Sequence, residues 1–331
     1  MLKLFEKSAV FQVVVILVVT ILLWLPHLTD PQPMVPAIGH APLYSMLYNC
    51  SFSPLFSVIL AIVLIIVGGI HLNLMLANTG LISQSSLFPT LFYILFMSAT
   101  AETLSPILIV GILIIAFVRM TLIHSTPLTI TSNKIFGATA IIGICSLFYL
   151  PSLILLLSYL TVAVSYRLYG WRDWMVALLG LLAPYIPLWA ILYLNDTLTE
   201  SFSAMGAALT PPQFSGLEFQ FSMSLTANIV LILFFVISLF ILWRSFGEKT
   251  TLWQKNAIAV VLPTVAALAL IVYNPSLPLN LQLFAIPFSL CATLRFTTTR
   301  FYNTFGYHRH QWRSHLKDLL FLIVIASAIL C

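Results

Sequence analysis

Long apolar runs recur from the beginning of the chain to its end, and the few charged residues fall between them. Hydrophobic residues occupy 61% of the 331 positions and charged residues only 7%, whereas soluble domains carry about a quarter charged residues. A soluble fold has no means of covering this much apolar surface, so lipid surrounds most of the chain. The runs lack the alternation of a β-barrel, which predicts an all-α, polytopic bundle of transmembrane helices.

Eleven membrane segments are predicted within one integral-membrane domain that covers residues 1–331. Several are too short for a straight helix to cross a hydrocarbon core of about 30 Å. The short hairpins 87–118 and 136–166 either span the membrane or re-enter it, and the sequence leaves both alternatives open. The predicted segments are Val10–Leu25, Pro54–Leu74, Leu87–Ser98, Pro106–Val118, Phe136–Leu150, Pro151–Tyr166, Trp174–Leu194, Met223–Trp243, Ala257–Tyr273, Leu279–Leu294 and Leu319–Leu330.

The basic residues predict the orientation of these segments. With a cytoplasmic N-terminus, all 14 Lys and Arg residues fall on the inner side, as the positive-inside rule requires. The formal charge of +5 then reflects insertion, and no nucleic-acid partner is expected. The outer loops are 26–53 and 195–222, and the inner loop 295–317 is basic. The predicted outer side carries acids but no cation: Asp30, Glu102, Asp196, Glu200 and Glu218.

The first outer loop contains the leading catalytic candidate, Asp30. In the functional interpretation Asp30 is a general base or a metal ligand, and His40 assists it. Tyr44 and Tyr48, in the same loop, are candidate substrate-binding residues. The alternative is that Asp30 only stabilises a turn before the proline that follows it.

Glu102 is a second candidate acid, between the two shortest helices. In a re-entrant hairpin its carboxylate would lie in the membrane interior, where such groups usually serve function. In a spanning hairpin it is an interfacial acid at the start of the next helix. Asn195, Asp196 and Glu200, in the second outer loop, belong either to a substrate-binding lid or to a loop resting at headgroup depth.

The basic inner loop is the candidate contact for lipid phosphate, through Arg300, Arg309 and Arg313. The alternative is an ordinary positive-inside belt with aromatic anchors. The four cysteines show no metal-ligand spacing, and the sequence predicts no metal site of its own. The cofactor stays unknown, with a divalent metal at the outer acids left open.

Two stretches resemble a known superfamily. GATAIIGICSLFYLPSLILLLSYLTVAVSYRLYGWRDWMVALLGLLAPYIP, residues 137–187, looks like the mid-chain pattern of bacterial GT-C-type membrane glycosyltransferases, a GxxxLxYxP helix pair, a basic inner loop and an LLG…P helix. The loop with Asp30 and APLYSMLY resembles their first outer loop, which carries an essential acid. The whole chain also resembles a family of polytopic bacterial inner-membrane proteins, a domain of unknown function.

The GT-C resemblance implies sugar transfer from a polyprenyl-phosphate donor on the outer face of the inner membrane. It implies that Asp30 is the catalytic acid position and Glu102 a second acid. Two other functions remain open, a non-enzymatic membrane subunit of a cell-envelope complex and a transporter of lipids or small solutes. The expected partners are membrane lipids, the polyprenyl-phosphate sugar and an envelope protein.

The orientation is open to a direct test with epitope tags. A tag inserted at Lys134 or at Arg309 should react with antibody only after the cytoplasmic face is made accessible, because both positions lie on the cation-bearing side. Immunolabelling of intact and permeabilised cells measures this. Labelling of either tag from the periplasm would contradict the predicted orientation.

Overall fold

The computed structural model describes residues 9–36, 41–50, 52–82, 87–122, 131–165, 170–209, 250–262 and 285–297, with Phe240, Gly247 and Gln282. These residues form helices and, within these ranges, no strand. One element is a 3-10 helix, Leu150–Ile154. The α-helices are α1 (Ala9–Thr29), α2 (Pro42–Asn49), α3 (Pro54–Asn78), α4 (Phe88–Thr100), α5 (Pro106–Thr121), α6 (Ser132–Phe148), α7 (Leu155–Ser165), α8 (Trp171–Leu182), α9 (Tyr185–Leu194), α10 (Leu198–Leu209), α11 (Thr251–Val261) and α12 (Ala285–Thr297).

The all-helical class is confirmed for the described residues, but one predicted segment is divided in two and two helices were not predicted. The predicted segment Trp174–Leu194 is two helices, α8 and α9, bent by 40° where Pro184 interrupts the helical hydrogen bonds. Both outer loops contain a helix, α2 in the first and α10 in the second. The predicted segments Met223–Trp243 and Leu319–Leu330 lie outside the described ranges, apart from Phe240.

Two described helices, α1 and α3, are long and apolar enough to cross a membrane. The bent pair of α8 and α9 makes a third if it is counted as one span. Both long helices expose large apolar side chains, such as Leu22 on α1 and Val67 on α3. An apolar surface of this extent is stable against lipid and unfavourable in water, which agrees with the composition.

The helix α4 occupies the centre of the bundle. All of its 13 residues are buried, and it packs against α1, α3 and α12. At its first turn, the backbone N–H of Leu87 donates to Gln12 Oε1 at 3.1 Å. Near its end, Trp24 Nε1 donates to Ser98 Oγ at 2.8 Å. The helices α1 and α4 are therefore parallel, and α4 packs along α1 from Gln12 to Trp24.

A pair of glycines on α3 allows this close packing. The ring of Tyr93 lies against the backbone at Gly68 and Gly69, where an added Cβ would come within 3.2 Å of Cε1 and 3.3 Å of Cδ1, respectively. One turn earlier on α4, Thr90 Oγ1 donates to the Gly69 carbonyl oxygen at 3.1 Å. Small residues at such positions let two helix backbones approach closely in a membrane.

The described cations gather at one end of the bundle. Lys134, at the start of α6, donates from Nζ to the Leu122 carbonyl oxygen at 2.8 Å. Leu122 directly follows α5, and the last turn of α5 carries Arg119. Arg172 lies in the first turn of α8, which runs parallel to α6. Lys255 lies in α11. Two residues before it, Trp253 Nε1 donates to the carbonyl oxygen of Leu81, which follows the end of α3. We call this the cation-bearing end.

The opposite end carries most of the described acids. Asp30 follows α1, Glu102 follows α4 and Asp196 follows α9, and these three helices all run away from the cation-bearing end. Asp173, beside Arg172, is the described acid at the cation-bearing end. We call the end with Asp30, Glu102 and Asp196 the acid-bearing end.

The contact between α6 and α8 depends on two glycines. A Cβ on Gly180 would meet Thr139 Oγ1 and would lie 2.6 Å from the Phe136 carbonyl oxygen. A Cβ on Gly143 would lie 2.5 Å from the Leu181 carbonyl oxygen. Since backbone atoms are the obstacle at both positions, a rotamer change gives no relief.

Substitution of these glycines should therefore destabilise the protein. We expect Gly180→Ala and Gly143→Ala each to lower the free energy of unfolding by about 1–3 kcal/mol through overpacking. The control is Gly206→Ala in α10, where an added Cβ meets nothing within 4 Å; it should be neutral or slightly stabilising. Thermal unfolding in detergent measures all three variants, and equal unfolding temperatures would contradict the close α6–α8 contact.

Candidate functional site

The two predicted catalytic acids both lie on the surface of the acid-bearing end. The backbone N–H of Asp30 donates to the Pro26 carbonyl oxygen at 3.0 Å and closes the last turn of α1. Its carboxylate accepts a hydrogen bond from Gln32 Nε2 at 3.4 Å. Glu102 is exposed in the turn between α4 and α5. Its carboxylate therefore lies at the end of the bundle and not among the buried helices.

The segments that carry these acids are hydrogen-bonded to each other. The N–H of Val35 donates to the Leu104 carbonyl oxygen at 3.2 Å, and Thr103 Oγ1 donates to the Gln32 carbonyl oxygen at 3.3 Å. We call residues 30–35 and 102–105 the paired segments. Because each acid lies within two residues of one of these contacts, Asp30 and Glu102 belong to one surface of the protein.

Tyr44 joins α2 to the paired segments. Its side chain is fully buried, and its hydroxyl is within hydrogen-bond distance of two carbonyl oxygens, 2.6 Å from that of Val35 and 3.2 Å from that of Leu104. Burial, and secondly the nearby Tyr48, raise the pKa of Tyr44, so the phenol keeps its proton for these acceptors. Tyr44 therefore holds the paired segments together, whereas Tyr48 on the same helix is exposed.

A buried glutamine, Gln282, forms hydrogen bonds to both sides of the break between α4 and α5. Gln282 Nε2 donates to the Thr100 carbonyl oxygen at 3.0 Å, and Gln282 Oε1 accepts from Ser105 Oγ at 3.1 Å. Ser105 Oγ in turn accepts from the N–H of Leu108 at 3.0 Å and caps α5. Sequence reasoning missed Gln282, whose signal is one of two amides, with Asn280, in an otherwise apolar stretch.

The three candidates of the second outer loop lie on a separate element. Asp196 has a positive φ of 57°, and the N–H of Thr197 donates to the Leu192 carbonyl oxygen at 3.1 Å, the arrangement that ends a helix in the left-handed conformation. Asn195 is the C-terminal cap of α9, and Glu200 lies in the first turn of α10. An acid in a first turn stabilises the helix dipole. Their substrate-binding role stays a prediction.

The remaining candidates lie outside the described residues: His40, Arg300, Arg309 and Arg313. Among the residues that the structure describes, no group of three or more His, Cys, Asp or Glu side chains is placed to hold a metal ion. Asp30 as a metal ligand, with His40 assisting it, stays a prediction.

Comparisons of the chain with protein-family models, with curated proteins and with solved structures gave no match.

The role of Tyr44 leads to a prediction about the stability of this surface. Tyr44→Phe leaves the part-buried Val35 carbonyl oxygen without the donor that it has now, so we expect a loss of about 1–3 kcal/mol in the free energy of unfolding. We also expect faster proteolysis within residues 26–53. Tyr48→Phe is the matched control, because its ring is exposed; identical behaviour of the two variants would rule out the proposed contact.

Proposed function

We propose that the chain is a multi-pass membrane enzyme that transfers a sugar from a polyprenyl-phosphate-linked donor, in the manner of GT-C-type glycosyltransferases. The observation that supports this most is the pairing of two exposed acids, Asp30 and Glu102, on hydrogen-bonded segments at one end of the bundle. Two carboxylates on one surface are suited to transfer between sugars, where one group removes a proton and the other orients the reacting partners.

The proposed reaction needs one proton acceptor on the protein. Asp30 takes the proton of an acceptor hydroxyl, whose oxygen then attacks the anomeric carbon of the donor sugar. The bond from that carbon to the phosphate oxygen breaks, and polyprenyl phosphate leaves with the bonding electrons. Gln32 orients the Asp30 carboxylate through its hydrogen bond to Oδ2. Glu102 is proposed to position the acceptor on the same surface.

We propose further that the acid-bearing end faces the outside of a bacterial inner membrane. The support is the separation of charges, since Arg119, Lys134 and Arg172 lie at the opposite end. Cations remain on the cytoplasmic side when membrane helices insert. In this orientation about eleven segments cross or enter the bilayer, with a cytoplasmic N-terminus, and the enzyme meets its lipid-linked donor at the outer leaflet.

A transporter of lipids or small solutes is the second candidate, and a specific feature favours it. The bend of 40° between α8 and α9 occurs at Ala183 and Pro184, in a stretch without charges. Interrupted helices form the binding sites of many transporters. A transporter whose solute site is at the α8–α9 bend would keep its activity when Asp30 loses its negative charge, so the acid substitutions below separate that transporter from the enzyme.

The test of the proposed function is replacement of the two acids by their amides. We expect Asp30→Asn to lower sugar transfer by roughly 10²–10⁴-fold, the usual contribution of a general base. Glu102→Gln should lower it less. The measurement is complementation of a strain lacking the protein, with envelope glycans quantified by mass spectrometry at matched protein levels.

The matched control is Asp173→Asn, which removes an acid at the cation-bearing end and should leave the glycans unchanged. Normal glycans in both the Asp30→Asn and the Glu102→Gln strains would exclude the proposed enzyme.

A further inference from the structure

A small apolar cluster, separate from the main core, lies at the acid-bearing end. It is formed where α2, α6, α9 and α10 come together. Its buried members are Leu147, Tyr185 and Leu188, and the side chains packed against them are Leu43, Trp189, Leu192 and Met205. The 3-10 helix that follows α6 adjoins this cluster, because α10 packs against it. None of these residues belongs to the paired segments.

Three aromatic rings form a row through this cluster. The ring centroids of Tyr185 and Trp189 are 5.7 Å apart, and those of Trp189 and Phe202 are 5.8 Å apart. The exposed fraction rises along the row, from 6% for Tyr185 to 49% for Phe202. The row therefore leads from the surface of α10 into the interior.

Polar groups at the inner end of the row differ in whether they have partners. Ser146 Oγ donates to the Gly143 carbonyl oxygen at 2.6 Å, so the Tyr185 hydroxyl, 2.7 Å away, donates to Ser146. In contrast, Ser152 Oγ and Trp189 Nε1 are buried and have no hydrogen-bond partner among the described residues. Buried polar groups in native proteins nearly always have partners, so two unpaired donors on elements that both pack against α10 require an explanation.

The two unpaired donors lie on elements that meet at α10. Ser152 is in the 3-10 helix, which packs against α10, and Phe202 of α10 contacts the ring of Trp189. A ligand held here would meet aromatic carbon and two hydrogen-bond donors. A phosphate is disfavoured because the described cations Arg119, Lys134 and Arg172 lie at the other end of the bundle. An acyl chain would leave both donors unpaired.

We propose that this junction of the 3-10 helix, α9 and α10 binds a sugar ring. The apolar C–H face of the ring stacks on Phe202, and its hydroxyl oxygens accept hydrogen bonds from Ser152 Oγ and from the in-plane N–H of Trp189. Such a combination of aromatic surface with a few placed polar groups is typical of small-molecule sites. We call these three residues the sugar site.

The sugar site adjoins the surface assigned to catalysis. Leu43 of α2 packs in the cluster that contains Trp189, and the next residue, Tyr44, is hydrogen-bonded to the paired segments. The inference rests on the proposed function for its biological meaning, since a glycosyltransferase must hold a sugar close to its catalytic acids. Binding itself requires no turnover, so it can be measured independently.

The experiment is a direct binding measurement on the full-length protein in nanodiscs made of sugar-free phospholipid. The probes are methyl β-glucoside and N-acetylglucosamine, titrated by isothermal calorimetry. We expect saturable binding of at least one probe, weakened roughly tenfold by Ser152→Ala and by Trp189→Phe, as the loss of one hydrogen bond predicts. Without sugar, Ser152→Ala should unfold at the same temperature as the unchanged protein or higher, because it removes only an unpaired buried donor. Trp189→Phe should unfold at a somewhat lower temperature, because the smaller ring packs less well in the cluster.

Ser158→Ala is the matched control, because Ser158 Oγ already donates to the Leu262 carbonyl oxygen at 3.4 Å; sugar binding should be unchanged. Asp30→Asn should also bind the probes normally, so that a failed transfer reaction and a failed sugar site are distinguished. Absence of saturable binding overturns the proposal, as does equal binding by all variants. A lower unfolding temperature in Ser152→Ala overturns it too, since that hydroxyl would then have a protein partner.

Discussion

Backbone N–H and C=O groups at a helix break have to find partners inside the protein when the surroundings are apolar, and the bundle is organised around this requirement. The break between α4 and α5 lies against the most buried helix of the described structure. Val35, Tyr44, Ser105 and Gln282 supply its partners, and they come from three parts of the chain. The acid-bearing surface is a consequence, because the contacts that complete the break also bring segment 30–35 to the turn with Glu102.

The helix starts that the sequence predicts best are those with a local chemical signal. Pro54 and Pro106 follow serines whose hydroxyls accept from the N–H groups of Phe56 and Leu108, so helix start and cap were encoded within four residues. The helices α2 and α10 were not predicted, since their short amphipathic patterns lie in proline-rich or acid-containing loops. The bend at Pro184 was missed because the apolar run continues through it.

The candidate site could be predicted only in part for a related reason. The pattern of charges assigned Asp30 and Glu102 to one side, and the structure places both at one end of the bundle. Their attachment to the same surface depends on contacts across some 70 residues, such as that of Thr103 with Gln32. Neither a periodicity nor a motif reports such a contact. Likewise, the unpaired donors Ser152 and Trp189 are visible only once the packing of α9 and α10 is known.

The complete burial of α4 sets it apart from α1. On α1, Val14, Leu22 and other large side chains face outward, where fluid acyl chains adapt to any apolar shape. Each side chain of α4 instead meets a fixed neighbour. The outward-facing residues of α1 can therefore be exchanged among Val, Leu, Ile and Phe during evolution. A substitution on α4 instead needs a compensating substitution on α1, α3 or α12. Covariation between homologues should accordingly concentrate on α4.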